Sequence, residues 1–194
     1  MKKLQTILLV FALALTGSLL HAQTQNIADL QKAADAGDAK AQYDLADMYL
    51  HGQGVAQNSA KAVEWLQKSA AQGNADAQSN LGVMYYTGQG VATDHAKALD
   101  LLQKAANQGN ATAQFNLGFM YAKGEGVATN YAKSAEWFEK AAQQGHADAQ
   151  AMIGAMYYEG RGVTQNQAKA LEWIRKSAAQ GNAKAKQMLR MLNQ

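Results

Sequence analysis

The residues best suited to chemistry in this sequence are glycines, carboxylates and a few histidines. A Gly-x-Gly-Val motif occurs four times, at Gly52–Gly54, Gly88–Gly90, Gly124–Gly126 and Gly160–Gly162. In nucleotide-binding proteins such a motif joins a strand to a helix N-terminus, whose free N–H groups meet the phosphate. Here each copy follows a helical pattern, such as "NADAQSNLGVMYYTG", and no Gly-Lys-Ser/Thr comes after it. The motif therefore reads as a bend between helices. Asp44, Asp47 and His51 fall at i, i+3 and i+7, along one side of a helix, where a divalent ion could use them. A solvated face with an Asp47–His51 pair explains the same residues without a metal, and no His-Glu-x-x-His or EF-hand pattern accompanies them. Ser-x-x-Lys, Ser-Asp-Asn, Lys-Thr-Gly and Gly-x-Ser-x-Gly do not occur in the sequence. The expectation is a chain with no catalytic residue, no metal and no cofactor.

The elements that carry these residues repeat. Gly37, Gly73, Gly109, Gly145 and Gly181 stand 36 residues apart, and Gln42, Gln78, Gln114 and Gln150 keep the same step. So do Met48, Tyr49 and Lys61 with their counterparts, while Trp65, Trp137 and Trp173 share a column with Leu101. Such a fixed period defines the fold before any local reading does. The units are 37–72, 73–108, 109–144 and 145–180, with a partial helix at 26–36 before them and a capping helix at 181–194 after them. Each unit holds two helical patterns. The first carries apolar residues such as Ala77, Leu81, Met84 and Tyr85 at helical spacing and ends at a glycine. The second opens at Asn58, Asp94, Asn130 or Asn166, residues suited to cap a helix. Helix pairs this short cannot bury their own apolar faces and must stack on one another. The fold expected is an all-α solenoid of antiparallel helix pairs, with the Tyr and Trp columns in its core and Ser69 and Ser177 at packed positions.

The pattern "AQxxLGxMYxxGxGVxxxxxKAxEWxxKAAxQG" resembles the Sel1-like repeat, a relative of the tetratricopeptide repeat, over nearly the whole of residues 23–194. Ala46 departs from it where Gly82, Gly118 and Gly154 stand, as does Leu101 in the Trp column. One secreted subgroup of the family staples each helix pair with a disulfide, and a chain without cysteine cannot. The resemblance implies a right-handed α/α superhelix whose first helices line the concave surface, and a role in binding other proteins.

The N-terminus reads as a signal peptide over residues 1–22: Met-Lys-Lys, the apolar run "ILLVFALAL", and a cleavage point after Ala22. The run is shorter than the roughly 20 residues of a membrane span. Removing it takes away Lys2 and Lys3 and lowers the net charge from +3 to about +1, which leaves no basic stripe for nucleic acid. The expected location is the periplasm or the outside of the cell.

In a solenoid the columns that vary between units are free to read a partner. On a 100° wheel centred on Leu45, the residues on the far side of the first helices are Tyr43 and Asp47, then Ser79, Asn80, Val83 and Tyr86. The third unit offers Phe115, Asn116, Phe119 and Lys123, and the fourth Ala151, Met152 and Tyr158. Phe115 and Phe119, one turn apart, read as an exposed apolar patch for a partner. Asn80 and Asn116 are placed to hold an extended peptide backbone. The partner expected is a protein or peptide; exported Sel1-like proteins further suggest an immunity or inhibitor role against a periplasmic toxin. The competing reading is a cell-wall or β-lactam-binding protein or hydrolase, which would need a compact polar pocket.

Overall fold

The computed structural model describes residues 26–192, so the export signal expected at 1–22 lies outside the described residues. Among the described residues the chain is helical throughout, without a strand. Helix α1 covers 26–35. The four units follow as α2 (Ala39–His51) with α3 (Ser59–Ala71), α4 (Ala75–Thr87) with α5 (His95–Asn107), α6 (Ala111–Lys123) with α7 (Tyr131–Gln143), and α8 (Ala147–Glu159) with α9 (Gln167–Ala179). Helix α10 (Ala183–Leu192) completes the order. We call the first helix of a unit A and the second B; α1 carries B-type columns and α10 A-type columns. Each helix packs on its neighbours in sequence, as a solenoid requires, and α4 also touches α6 across one unit step.

Every helix of the four units starts on a side-chain cap. Asn58, Asp94, Asn130 and Asn166 each accept from the N–H three residues on, at 2.9–3.0 Å. Their own N–H groups donate to the carbonyls of Tyr49, Tyr85, Tyr121 and Tyr157, which ties each B helix to the end of its A helix. The A helices end on Gly52, Gly88, Gly124 and Gly160 in the left-handed region. The second glycines of the last three motifs, Gly90, Gly126 and Gly162, face the preceding unit. A Cβ on Gly126 would lie 2.6 Å from the His95 carbonyl oxygen, and Gly90 and Gly162 press in the same way on Ser59 and Tyr131. The motif is a hinge that also seals one unit against the next. Val55, Val91, Val127 and Val163 are half-buried beside it.

The core runs along the seam between A and B helices. Leu45, Leu117 and Ile153 are fully buried, as are Leu66, Phe138 and Ile174 opposite them. Tyr85, Tyr121 and Tyr157 are buried as expected, while Tyr49 in the first unit is half-buried. The Trp column is shallower than a core column. Trp65, Trp137 and Trp173 are half-buried, with the Nζ of Lys68, Lys140 and Lys176 lying 3.8, 4.1 and 4.4 Å from their ring centres.

Two polar columns hold the stack together. The side chains of Gln42, Gln78, Gln114 and Gln150 donate to the carbonyls of Ala34, Ala70, Ala106 and Ala142 in the preceding B helix at 3.0–3.2 Å. Each also accepts from the glutamine that ends its own B helix, Gln72, Gln108, Gln144 or Gln180, at 2.7–2.8 Å. A buried amide satisfied on both sides is why this column does not vary. Ser69 and Ser177 are fully buried and donate to the carbonyls of Ala39 and Ala147.

Candidate binding groove

The outward columns of three consecutive A helices converge on one cleft of about 570 Å³. Leu50 and His51 come from α2, Asn80, Val83 and Met84 from α4, and Thr112 and Asn116 from α6; the loop residues Gln57 and Gln89 close its rim. The walls are therefore mostly carboxamides, over a floor of Leu50, Val83 and Met84. Carboxamides can both donate and accept, which suits a polypeptide main chain. A small recess of about 20 Å³ adjoins it, between Val83, Tyr86, Leu102, Asn116, Phe119 and Met120. It has room for about one methyl group or one water.

Of the residues expected to meet a partner, the structure brings together Asn80, Val83, Tyr86, Asn116 and Phe119. Tyr43 is half-buried beside them. Burial raises its pKa, and Asp76 and Asp47 add to the shift, while a hydrogen bond from Asn80 opposes it. Asp47 is taken up by His51, whose Nδ1 lies 3.1 Å from its carboxylate and 3.0 Å from its carbonyl oxygen. Asp44 pairs instead with Lys40 at 2.7 Å. Among the described residues no three metal-ligating side chains converge. Met152 is half-buried against the core of the last unit, and Tyr158 stands exposed near that end.

Two expectations change. Ser79 and Ala151 lie on the outward column but are only 2% and 5% exposed. This column meets the next unit, as the Tyr43–Asn80 and Phe115–His146 contacts show, and small residues in it are covered. The same packing against the next unit accounts for Phe115, which is half-buried and not an exposed patch. Its ring stacks on His146 at 4.7 Å and meets Phe138 at 5.6 Å, filling the corner between α6, α7 and α8. Phe119 is also half-buried, with the Nζ of Lys123 4.6 Å from its ring centre.

Of the residues between the paired glycines, Glu125 and Arg161 are engaged. Glu125 accepts the Tyr86 hydroxyl from the preceding unit and lies 3.8 Å from Lys123. Burial, then the bond to Glu125, pushes the Tyr86 pKa up to about 12. The Tyr86 ring also leans on His95, 5.2 Å away. In the last unit Arg161 lies over the Tyr131 ring and pairs with Glu159. Gln57, Gln89 and Thr112 in the cleft were not anticipated. Their only signal was variation at loop and first-turn positions, which reads equally well as surface filler.

His146 caps α8 where Asn74, Asn110 and Asn182 cap the corresponding helices, and its Nδ1 accepts from the Ala149 N–H at 3.2 Å. Only the neutral ring can do this, and a protonated one would face the positive end of α8. Burial lowers its pKa below the usual 6.5, with Asp148 opposing the shift. A depressed histidine pKa means the folded state binds fewer protons than the unfolded chain. Its contribution to stability is therefore complete above the unfolded value and is lost as pH falls through it. Thermal melts at pH 7.5 and 5.5 should show a larger drop for the native chain than for His146→Asn. Equal drops would show that the cap does not titrate.

Comparison with known proteins agrees with this geometry. The Sel1 repeat model matches residues 30–38, 39–74, 75–110, 111–146 and 147–182. Its units have the period read above, shifted by two residues. The chain is similar to a protective antigen of uropathogenic Escherichia coli strains displaying an SLR fold, with 40% identity and a TM-score of 0.78 over 82% of this chain and 34% of that one. It is similar to a Sel1 repeat protein from Oxalobacter formigenes, with 39% identity and a TM-score of 0.79 over 88% and 49% of the two chains. An immunity protein from Pseudomonas aeruginosa aligns at 28% identity and a TM-score of 0.53, over 82% of this chain and 59% of that one. The chain thus spans about a third to a half of the length of the first two relatives. No curated protein matches the sequence.

Proposed function

The chain belongs to the Sel1 repeat family, and from that footing we propose that it is an exported scaffold that grips an extended segment of another protein in the α2–α4–α6 cleft. The observation that carries this reading is the convergence of variable columns from three units on carboxamide walls over an apolar floor. Such walls meet the main chain of a partner, and the recess beside Phe119 takes one small apolar side chain from it. The scaffold performs no reaction of its own. We place it in the periplasm, reached through residues 1–22, and assign it an immunity role in which the bound segment belongs to a toxin. Similarity to an immunity protein from Pseudomonas aeruginosa supports that assignment.

The test compares the native chain with Asn80→Ala/Asn116→Ala and with Lys104→Ala/Lys140→Ala on the B helices. Each is used to recover partners from periplasmic extract, with folding checked by circular dichroism. A partner lost with the asparagine pair and kept with the lysine pair is the expected result, about a hundredfold in affinity if both backbone contacts go. Retention by the folded asparagine variant would move the binding surface elsewhere. Protection of cells from the recovered partner, expressed in the periplasm, tests the immunity assignment separately.

A further inference from the structure

The Trp column is filled in three units and short in one. Trp65, Trp137 and Trp173 stand in the first, third and fourth units, and Leu101 stands in the second. Trp65 packs on the cluster of Ala34, Ala41 and Leu45. Trp137 and Trp173 pack on the clusters that hold Ala106 with Leu117 and Ala142 with Ile153. Leu101 covers the equivalent ground less well. Ala70 is 7% exposed, against 1–2% for Ala34, Ala106 and Ala142, and Leu81 is 3% exposed, against 0% for Leu45, Leu117 and Ile153. A surface cleft of about 400 Å³ results over Ala70, Gly73 and Leu81, with Gln67 from α3 and Leu101 and Lys104 from α5 around it.

The sister units show what fits there. We infer that this cleft is a docking site for a tryptophan side chain carried by another protein, which takes the place that Trp65, Trp137 and Trp173 hold in their own units. The surroundings suit an indole. Lys68, Lys140 and Lys176 each hold an ammonium group over the ring of their unit, and Lys104 stands in the same column. Its ion pair with Asp100 at 2.7 Å does not prevent this. Lys176 pairs with Glu172 at 2.7 Å and still lies 4.4 Å from the Trp173 ring centre. Gln67 donates its amide N–H to the Tyr85 hydroxyl at 3.2 Å, and its carbonyl oxygen can accept from an indole N–H. One half-buried ring supplies only millimolar affinity. The site therefore serves a ring whose parent protein makes further contacts, rather than a free aromatic molecule. It shares no residue with the α2–α4–α6 cleft and is independent of the reading given for that cleft.

The experiment titrates N-acetyltryptophanamide into the native chain, Leu101→Trp and Lys104→Ala, followed by the amide chemical shifts of Ala70, Ala71, Gly73 and Leu101. The native chain should show saturable shifts at these residues in the millimolar range, with N-acetylleucinamide about tenfold weaker. Lys104→Ala should weaken binding only about threefold, since the ammonium meets the ring from its solvent side. Leu101→Trp fills the cleft with its own indole, so it should lose binding and melt about 2–4 °C higher than the native chain. Peptides selected from a random library on the native chain, and counter-selected on Leu101→Trp, should carry tryptophan. Four results would overturn the inference: shifts confined to other residues, a Leu101→Trp variant that still binds or is less stable than the native chain, selected peptides without tryptophan, or free indole bound at micromolar concentration, which would make this a site for a free small molecule.

Discussion

Phe138→Ala should lower the stability of the protein by about 3–5 kcal/mol, the range for removing a fully buried aromatic ring from a core that cannot collapse around the gap. Phe138 is 0% exposed and is the largest of the fully buried side chains. Its ring lies against Gly118 of its own unit and against Phe115, which in turn stacks on His146 at the start of α8. The substitution therefore loosens two seams, α6 to α7 and α6 to α8. In a linear array each unit is stabilised by its neighbours, so damage at the third unit divides the stack. Denaturant unfolding should show a lower midpoint together with a broadened or two-step transition. A single sharp transition with a loss under about 1 kcal/mol would mean that the ring carries no such seam.

Gly118→Val should cost about 2–3 kcal/mol for the opposite reason, overpacking. The first added carbon would sit 2.8 Å from the Phe138 ring, and the ring is walled in on all sides. Valine gains only a few tenths of a kcal/mol over glycine in helix propensity, too little to offset the overlap. The two changes should be far from additive. In Gly118→Val/Phe138→Ala the new methyl groups enter the space left by the ring, so the double variant should be more stable than the sum of the single losses predicts by about 1–3 kcal/mol. Additive losses would show that Gly118 matters for the helix alone and not for the closeness of the pair.

That glycine column shows how much of the molecule could be read beforehand. The period, the caps at Asn58, Asp94, Asn130 and Asn166, and the hinge role of the paired glycines were all legible, because each depends on contacts within a few residues. The departure of Ala46 from the glycine column was visible, but its reason was not. The residue opposite does not supply it, since Gly82 also lies against a leucine, Leu102. Asn80, Val83 and Asn116 were legible as groove residues because they face away from the seam. Phe115 was misjudged by the same rule, since a helical wheel describes one helix and knows nothing of the unit stacked beside it. The loop tips Glu125 and Arg161 escaped for the same reason; their partners Tyr86 and Tyr131 belong to the preceding unit.

By itself the sequence determined the family, the helix count per unit and the period of the repeat. These follow from hydrophobic period and glycine placement, which act locally and recur in every unit. Only the tertiary structure decided how one unit sits on the next. That offset buries Ser79 and Ala151, turns Phe115 inward, joins Tyr86 to Glu125 and opens the cleft between α2, α4 and α6. The physical reason is that the offset arises from side chains tens of residues apart packing at once, among them the glutamine ladder and the close approach at Gly118. No single unit read alone contains that information.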